Sequence, residues 1–304
     1  MRLFLLPVST RRSLVYCERA RAPVAADAKL PVTERATRYA SQTWAKWESA
    51  EKGWQKHVTV YGNRLLNRIP YTEWGLKSLP PATDKRRQAI DDGSLTVDCF
   101  YPRAFLPGGA DGAIPALEKL ATERQALDRR RLWSCVFWTP FTIPFQIVPV
   151  LPNLPFYYVV YRAYSYYRSL YGGKLLEQLL QKQRVNITDS QLMDNMYAAG
   201  LLHPTRPVAR EAETPTADET TKLVKDIERR SNAGEEVMLL RRWNGKLIAE
   251  AFGLPEMEVE IERAVDQIEA DLRAKAEGKA REGQEAAEKG TVAKTPMHGH
   301  KIDK

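Results

Sequence analysis

Thirty consecutive residues, Leu132 to Tyr161 (LWSCVFWTPFTIPFQIVPVLPNLPFYYVVY), carry no Asp, Glu, Lys, Arg or His. A soluble core element rarely needs more than about 10–14 apolar residues in a row, whereas a bilayer needs about 20 in one helix. The run therefore points to a membrane protein that enters the bilayer once, in its middle. The competing reading is the proline-broken core of a soluble domain. Prolines at 140, 144, 149, 152 and 155 make one straight helix through the run improbable, because each interior proline removes a hydrogen bond and kinks the axis. The favoured division is a kinked helix over about 132–150, a turn at Leu151–Pro155, and a second helix from Phe156 to about Leu180.

Charge is partitioned around this run. Residues 1–131 hold 23 Lys/Arg against 14 Asp/Glu, residues 132–210 hold 7 against 3, and residues 211–304 hold 16 against 21. The basic excess sits where it could lean on anionic headgroups. A nucleic-acid partner is not expected, since no readout module accompanies the basic residues. Mean hydropathy of −0.45 is too low for a polytopic transporter. Cys17, Cys99 and Cys135 form neither a disulfide framework nor a zinc pattern. Asn186-Ile-Thr matches a glycosylation acceptor but lacks a secretory context.

The N-terminal RLFLLPV followed by Arg-rich sequence reads either as a mitochondrial transit segment or as a short strand and loop. A long helix is expected from Glu34 to about Asn67, with Ala40, Trp44, Trp47, Trp54, Val58, Tyr61 and Leu65 in a heptad seam that packs on another helix or, alternatively, sits at a membrane interface. Leu95–Phe105 is β-leaning but isolated, and residues 107–109 form a flexible link. Ile114-Pro115 opens a second helix ending in Arg129–Arg131. Beyond the run, Arg162, Ser165, Arg168 and Ser169 share one side of a helix. Val159, Val160, Ala163, Tyr164, Tyr167 and Leu170 lie mainly on the other. Gly172-Gly173 should loosen that helix. Ser190 starts a short helix that stops near His203-Pro204. A polar linker follows, then amphipathic helices carrying Leu223, Val224 and Ile227, spanning about Glu235–Phe252, and opening at Pro255.

The expected fold class is therefore mainly α: a membrane-anchored helical protein with one central Pro-rich transmembrane or re-entrant hairpin and flanking amphipathic helices. Its divisions are a basic N-terminal region (1–131), the hairpin and following helix (132–185), a short helix and linker (186–217), acidic amphipathic helices (218–275) and a disordered tail (276–304). Basic residues flank the run on both sides, so both ends prefer one compartment, and a hairpin satisfies that where a single span does not. Membrane lipid is the expected partner. Gln146, Asn153 and Arg162 are the candidate functional residues of the hairpin. The first two carry polar atoms inside the run, and Arg162 is its nearest charge, able to snorkel or to pair. No catalytic, cofactor or metal motif emerges, and no enzymatic activity is expected.

Two stretches resemble the mitochondrial K+/H+ exchange-related proteins of fungi and other eukaryotes: MRLFLLPVSTRRSLVYCER at the N-terminus and PFQIVPVLPNLPFYYVVYRAYSYYRSLYGGKLLEQLL over residues 144–180. The resemblance implies the mitochondrial inner membrane, soluble parts facing the matrix, a role in potassium–proton exchange, and other inner-membrane subunits or further copies of the chain as partners. K+ and H+ would be the ions moved. A cation/proton antiporter needs a carboxylate at membrane depth, and residues 132–161 offer none. An accessory or oligomeric component is therefore expected, with a membrane-anchored scaffold that recruits matrix partners as the alternative.

Overall fold

The computed structural model describes residues 1–18, 53–142, 154–203 and 214–292, with a few single positions between 39 and 49 and residue 205. Its centre is a four-stranded sheet formed by β1 (Arg2–Pro7), β2 (Ser13–Cys17), β3 (Val97–Tyr101) and β4 (Val185–Asp189) in the order β2-β1-β3-β4. β1 and β2 form an antiparallel hairpin with Leu3 opposite Cys17 and Pro7 opposite Ser13. β3 runs parallel to both β1 and β4, with Val97 opposite Val185 and Tyr101 opposite Asp189.

The uninterrupted apolar stretch of β1 follows from burial on two faces. Leu3 and Leu5 point into one cluster with Val15, Cys17, Val97 and Cys99. Phe4 and Leu6, a single pleat position away, enter a second cluster with Leu14, Tyr16 and Phe105. Helices cover both faces. On the first lie α2 (Tyr71–Ser78), α3 (Asp84–Asp91), α4 (Gly109–Thr122) and the 28-residue α6 (Leu154–Gln181). The second is closed by α7 (Gln191–Leu202), α9 (Arg242–Ala251) and α10 (Pro255–Val292). The remaining described helices are α1 (Trp54–Asn67), α5 (Gln125–Thr142) and α8 (Ala217–Asn232).

This architecture corrects the expected fold class. The protein is a helix–sheet–helix α/β structure, and no described helix is long and apolar enough to cross a membrane. Of the uncharged run, the described residues fall in two helices, and neither described part is long enough to cross. α5 holds its first eleven residues, about 16 Å of helix, behind Asp128 and three arginines; α6 holds only Leu154–Tyr161, about 12 Å, before Arg162. A bilayer core is about 30 Å thick.

Other expectations shift too. The segment that could be read as a transit peptide is the second strand of the sheet, with Leu3 to Leu6 fully buried. Part of the Trp seam lies outside the described residues; in α1 the seam positions Tyr61 and Leu65 are exposed, Tyr61 at 62%. β3 is not isolated but lies between β1 and β4. Gly109 begins α4 five residues before Ile114, after Gly108 in the left-handed region at φ 80°. The stretch from Glu235 is extended rather than helical up to Arg241, because it lies along the β1–β2 turn: the Thr10 N–H donates to the Val237 carbonyl and the Leu239 N–H to that of Val8. Ser190 caps α7, and a Thr216–Glu219 capping box opens α8.

Candidate functional site

The polar stripe on α6 faces inward. α6 packs lengthwise against α5, and α2 crosses it near its middle. Gly172 and Gly173 permit that crossing and do not loosen the helix. A Cβ on Gly172 would stand 2.2 Å from the Leu76 carbonyl oxygen of α2, and one on Gly173 would stand 2.8 Å from that of Ala121 on α4. The close approach brings Arg162 against Glu73 of α2. Its guanidinium donates to both carboxylate oxygens, Nη1 to Oε1 at 2.9 Å and Nη2 to Oε2 at 3.2 Å. This fork-to-fork geometry is the strong form of the Arg–carboxylate pair.

The pair belongs to a larger cluster. Ser165 Oγ donates to Glu73 Oε1 at 2.5 Å. Arg124 Nη2 lies 3.5 Å from Glu73 and 3.2 Å from Asp128, bridging the two carboxylates. One helical turn along α6 from Ser165, Ser169 Oγ donates to Asp128 at 2.6 Å. Arg168 reaches the end of α2 and donates to the carbonyls of Lys77 and Leu79, groups that a helix C-terminus leaves without internal partners. Glu73, Asp128, Ser165 and Ser169 are fully buried.

Burial pushes the Asp128 carboxyl up, against the pull of Ser169 and Arg124. For Arg162 burial works against the charge, but Glu73 and Tyr166 outweigh it and the pKa rises. Lys77 borders the cluster. Its ammonium sits 3.6 Å from the centre of the Trp74 ring and 3.4 Å from the Tyr161 hydroxyl. Burial takes its pKa down to about 8, with Glu73 resisting. Lys77 is thus held below the ordinary lysine range by its burial in this assembly.

Of the three residues singled out in the sequence, Arg162 sits at the middle of this cluster, paired rather than snorkelling. Gln146 and Asn153 lie outside the described residues. Glu73, Asp128, Arg124 and Lys77 carried no sequence signal of their own; only the α6 stripe at 162, 165 and 169 hinted that partners existed. A second feature is a cavity of about 300 Å³ at the carboxyl ends of β1 and β3, walled by Thr10, Phe105, Gly108, Val224, Glu228 and Asn232. Among the described residues no group of His, Cys, Asp and Glu is arranged to hold a metal ion.

Beyond the cluster, α5 and α6 turn outward. Trp133, Phe137, Trp138, Phe141, Tyr157 and Tyr164 are exposed, Trp133 at 65% and Phe137 at 64%.

Sequence comparison bears on the same part of the chain. The profile of the family described as mitochondrial K+-H+ exchange-related matches residues 2–180, a span containing β1–β3, the buried cluster and both outward-turned helices. An uncharacterized protein of Schizosaccharomyces pombe is 23% identical over 194 residues, covering 64% of this chain and 81% of its own length. One from Saccharomyces cerevisiae is 22% identical over 235 residues, covering 70% of this chain and 73% of its own. No solved structure gives a significant match.

Proposed function

Since the chain belongs to the mitochondrial K+-H+ exchange-related family, we propose that it contributes to mitochondrial potassium–proton exchange as an accessory component. It would act at the inner membrane from the matrix side, without enzymatic activity and without itself forming the ion path. One observation carries the accessory reading. The buried carboxylates beside α6 are already committed, Glu73 to Arg162 and Ser165, and Asp128 to Arg124 and Ser169. An antiporter trades a proton for a cation on a carboxylate that can release its partners. Here each buried acid is held by a guanidinium and a hydroxyl, which serves to lock three helices together.

Passive swelling of de-energised mitochondria in potassium acetate tests the reading. Loss of the protein should slow swelling, and re-expression of the wild-type chain should restore it. Swelling that is unchanged in its absence would overturn the exchange role and favour an adaptor that recruits matrix proteins. Protease protection in intact mitochondria and in mitoplasts tests the matrix-side location separately.

A further inference from the structure

We infer that the outward-turned parts of α5 and α6 dock on the surface of an anionic lipid bilayer, at headgroup depth and without crossing it. The first observation is an inverted polarity. A helix on the surface of a water-soluble protein turns its apolar stripe inward and its polar stripe outward. α6 does the reverse over residues 160–169. Arg162, Ser165 and Ser169 are buried, while Val160, Tyr164 and Tyr167 are exposed at 40% or more. α5 beyond Arg131 carries no charge, and Ser134 is the one polar side chain among its exposed positions in the described residues. Trp133, Val136, Phe137, Trp138 and Phe141 are all exposed, and its partly covered positions are Leu132, Cys135, Thr139 and Thr142. Such surfaces suit an apolar or interfacial environment and are costly in water.

The second observation identifies the occupant by charge. Arg129, Arg130 and Arg131 form an exposed collar at the foot of the aromatic part of α5. Among the described residues, none of the three has a carboxylate within ion-pair distance, and Arg131 leans on the Tyr166 ring. Trp and Tyr favour the headgroup layer, where one edge of the ring is wet and the other apolar. Arginines beside them pair with lipid phosphates. An aromatic end with a basic collar therefore fits an anionic bilayer surface better than a second copy of this chain, whose own collar would carry the same charge. The described apolar parts of α5 and α6 are enough for seating at the interface, which needs only about 5–10 Å of penetration.

The inference adds a partner to the accessory reading above, and its test on purified protein can fail while the swelling assay succeeds. The full-length chain is mixed with vesicles of phosphatidylcholine alone or with added cardiolipin, and flotation and Trp fluorescence are followed. Binding is expected on the cardiolipin vesicles and should fall as salt rises. The R129Q/R130Q variant should bind roughly thirtyfold more weakly, from about fivefold per charge. Phe137→Glu with Trp138→Glu should abolish flotation. Each variant should keep the wild-type unfolding midpoint, since these side chains are exposed. Absence of wild-type binding, or full binding by the F137E/W138E variant, would overturn the inference. So would a wild-type dimer that this variant converts to monomer in the absence of any vesicle binding, because a second copy would then cover the aromatic surface.

Discussion

Near α2 and α4, the α5–α6 pair encloses charge; farther out, the same two helices expose aromatic rings. At the inner end a carboxylate with no solvent contact is gripped by a guanidinium and a hydroxyl. At the outer end Trp133 and Phe137 are about two-thirds exposed. Ordinary folding physics arranges these the other way round. The contrast separates two jobs within one pair of helices. The inner half is held by neighbours whose removal the fold should feel. The outer half contributes little to the fold and is available for contact with something else.

If that separation is right, substitutions should divide sharply by position. The largest effect is expected from Arg162→Met, which strips the buried Glu73 of its forked partner and leaves it only Ser165 and the more distant Arg124; urea unfolding should show a loss of about 3 kcal/mol. Gly172→Ala comes next. Its Cβ has no room beside the Leu76 carbonyl, and overpacking of this kind costs about 1–3 kcal/mol by the same measurement.

Lys77 gives a pH-dependent version of the comparison. Its folded pKa of about 8 lies below the ordinary 10.5, so between those values the unfolded chain holds more protons. Stability should therefore rise with pH from about 8 to 10.5, and Lys77→Met should flatten that rise in melts taken across the range. Asp194 on α7 has the opposite sign. Burial pushes its carboxyl up to about 6, so its contribution is present below about 4 and is lost as pH climbs through 6. Asp194→Asn should keep the bond from the Ala104 amide and remove that fall, adding about 3 kcal/mol at pH 7. The smallest effect belongs to the outer end. Tyr164→Ser or Phe137→Ser should change the unfolding free energy by no more than about 0.5 kcal/mol. A loss comparable to that of Arg162→Met there would erase the distinction between the two halves.

How far the sequence exposes this arrangement depends on the range of each interaction. Features fixed locally were legible: the Ser190 start of α7, the Pro255 start of α10, and Leu223, Val224 and Ile227 on one side of α8, all of which depend on neighbours within a few turns. The sheet was not legible. RLFLLP could be read as a strand and VDCFY as β-leaning, but β1 and β3 are parallel and their paired residues lie 96 positions apart in the chain, Arg2 opposite Asp98. Parallel pairing leaves no turn signal to announce it. β4 was hidden as well, because its NIT core reads as a polar loop when seen without Asp98 and Cys99 beside it.

The candidate site was half legible for the same reason. The positions of Arg162, Ser165 and Ser169 on one side of a helix follow from spacing alone, but which side faces inward depends on Glu73, 89 residues away from Arg162. Without that partner, an arginine after thirty uncharged residues looks like a membrane flank.

The claim on which these arguments converge is that Arg162 is a buried structural partner of Glu73. A double-mutant cycle on the purified chain measures it, with Glu73→Leu, Arg162→Met and the combination followed by urea unfolding. The structure predicts that the double variant recovers much of what each single variant loses, with a coupling energy of at least about 2 kcal/mol. Losses that add to within about 0.5 kcal/mol would contradict it and return Arg162 to the surface.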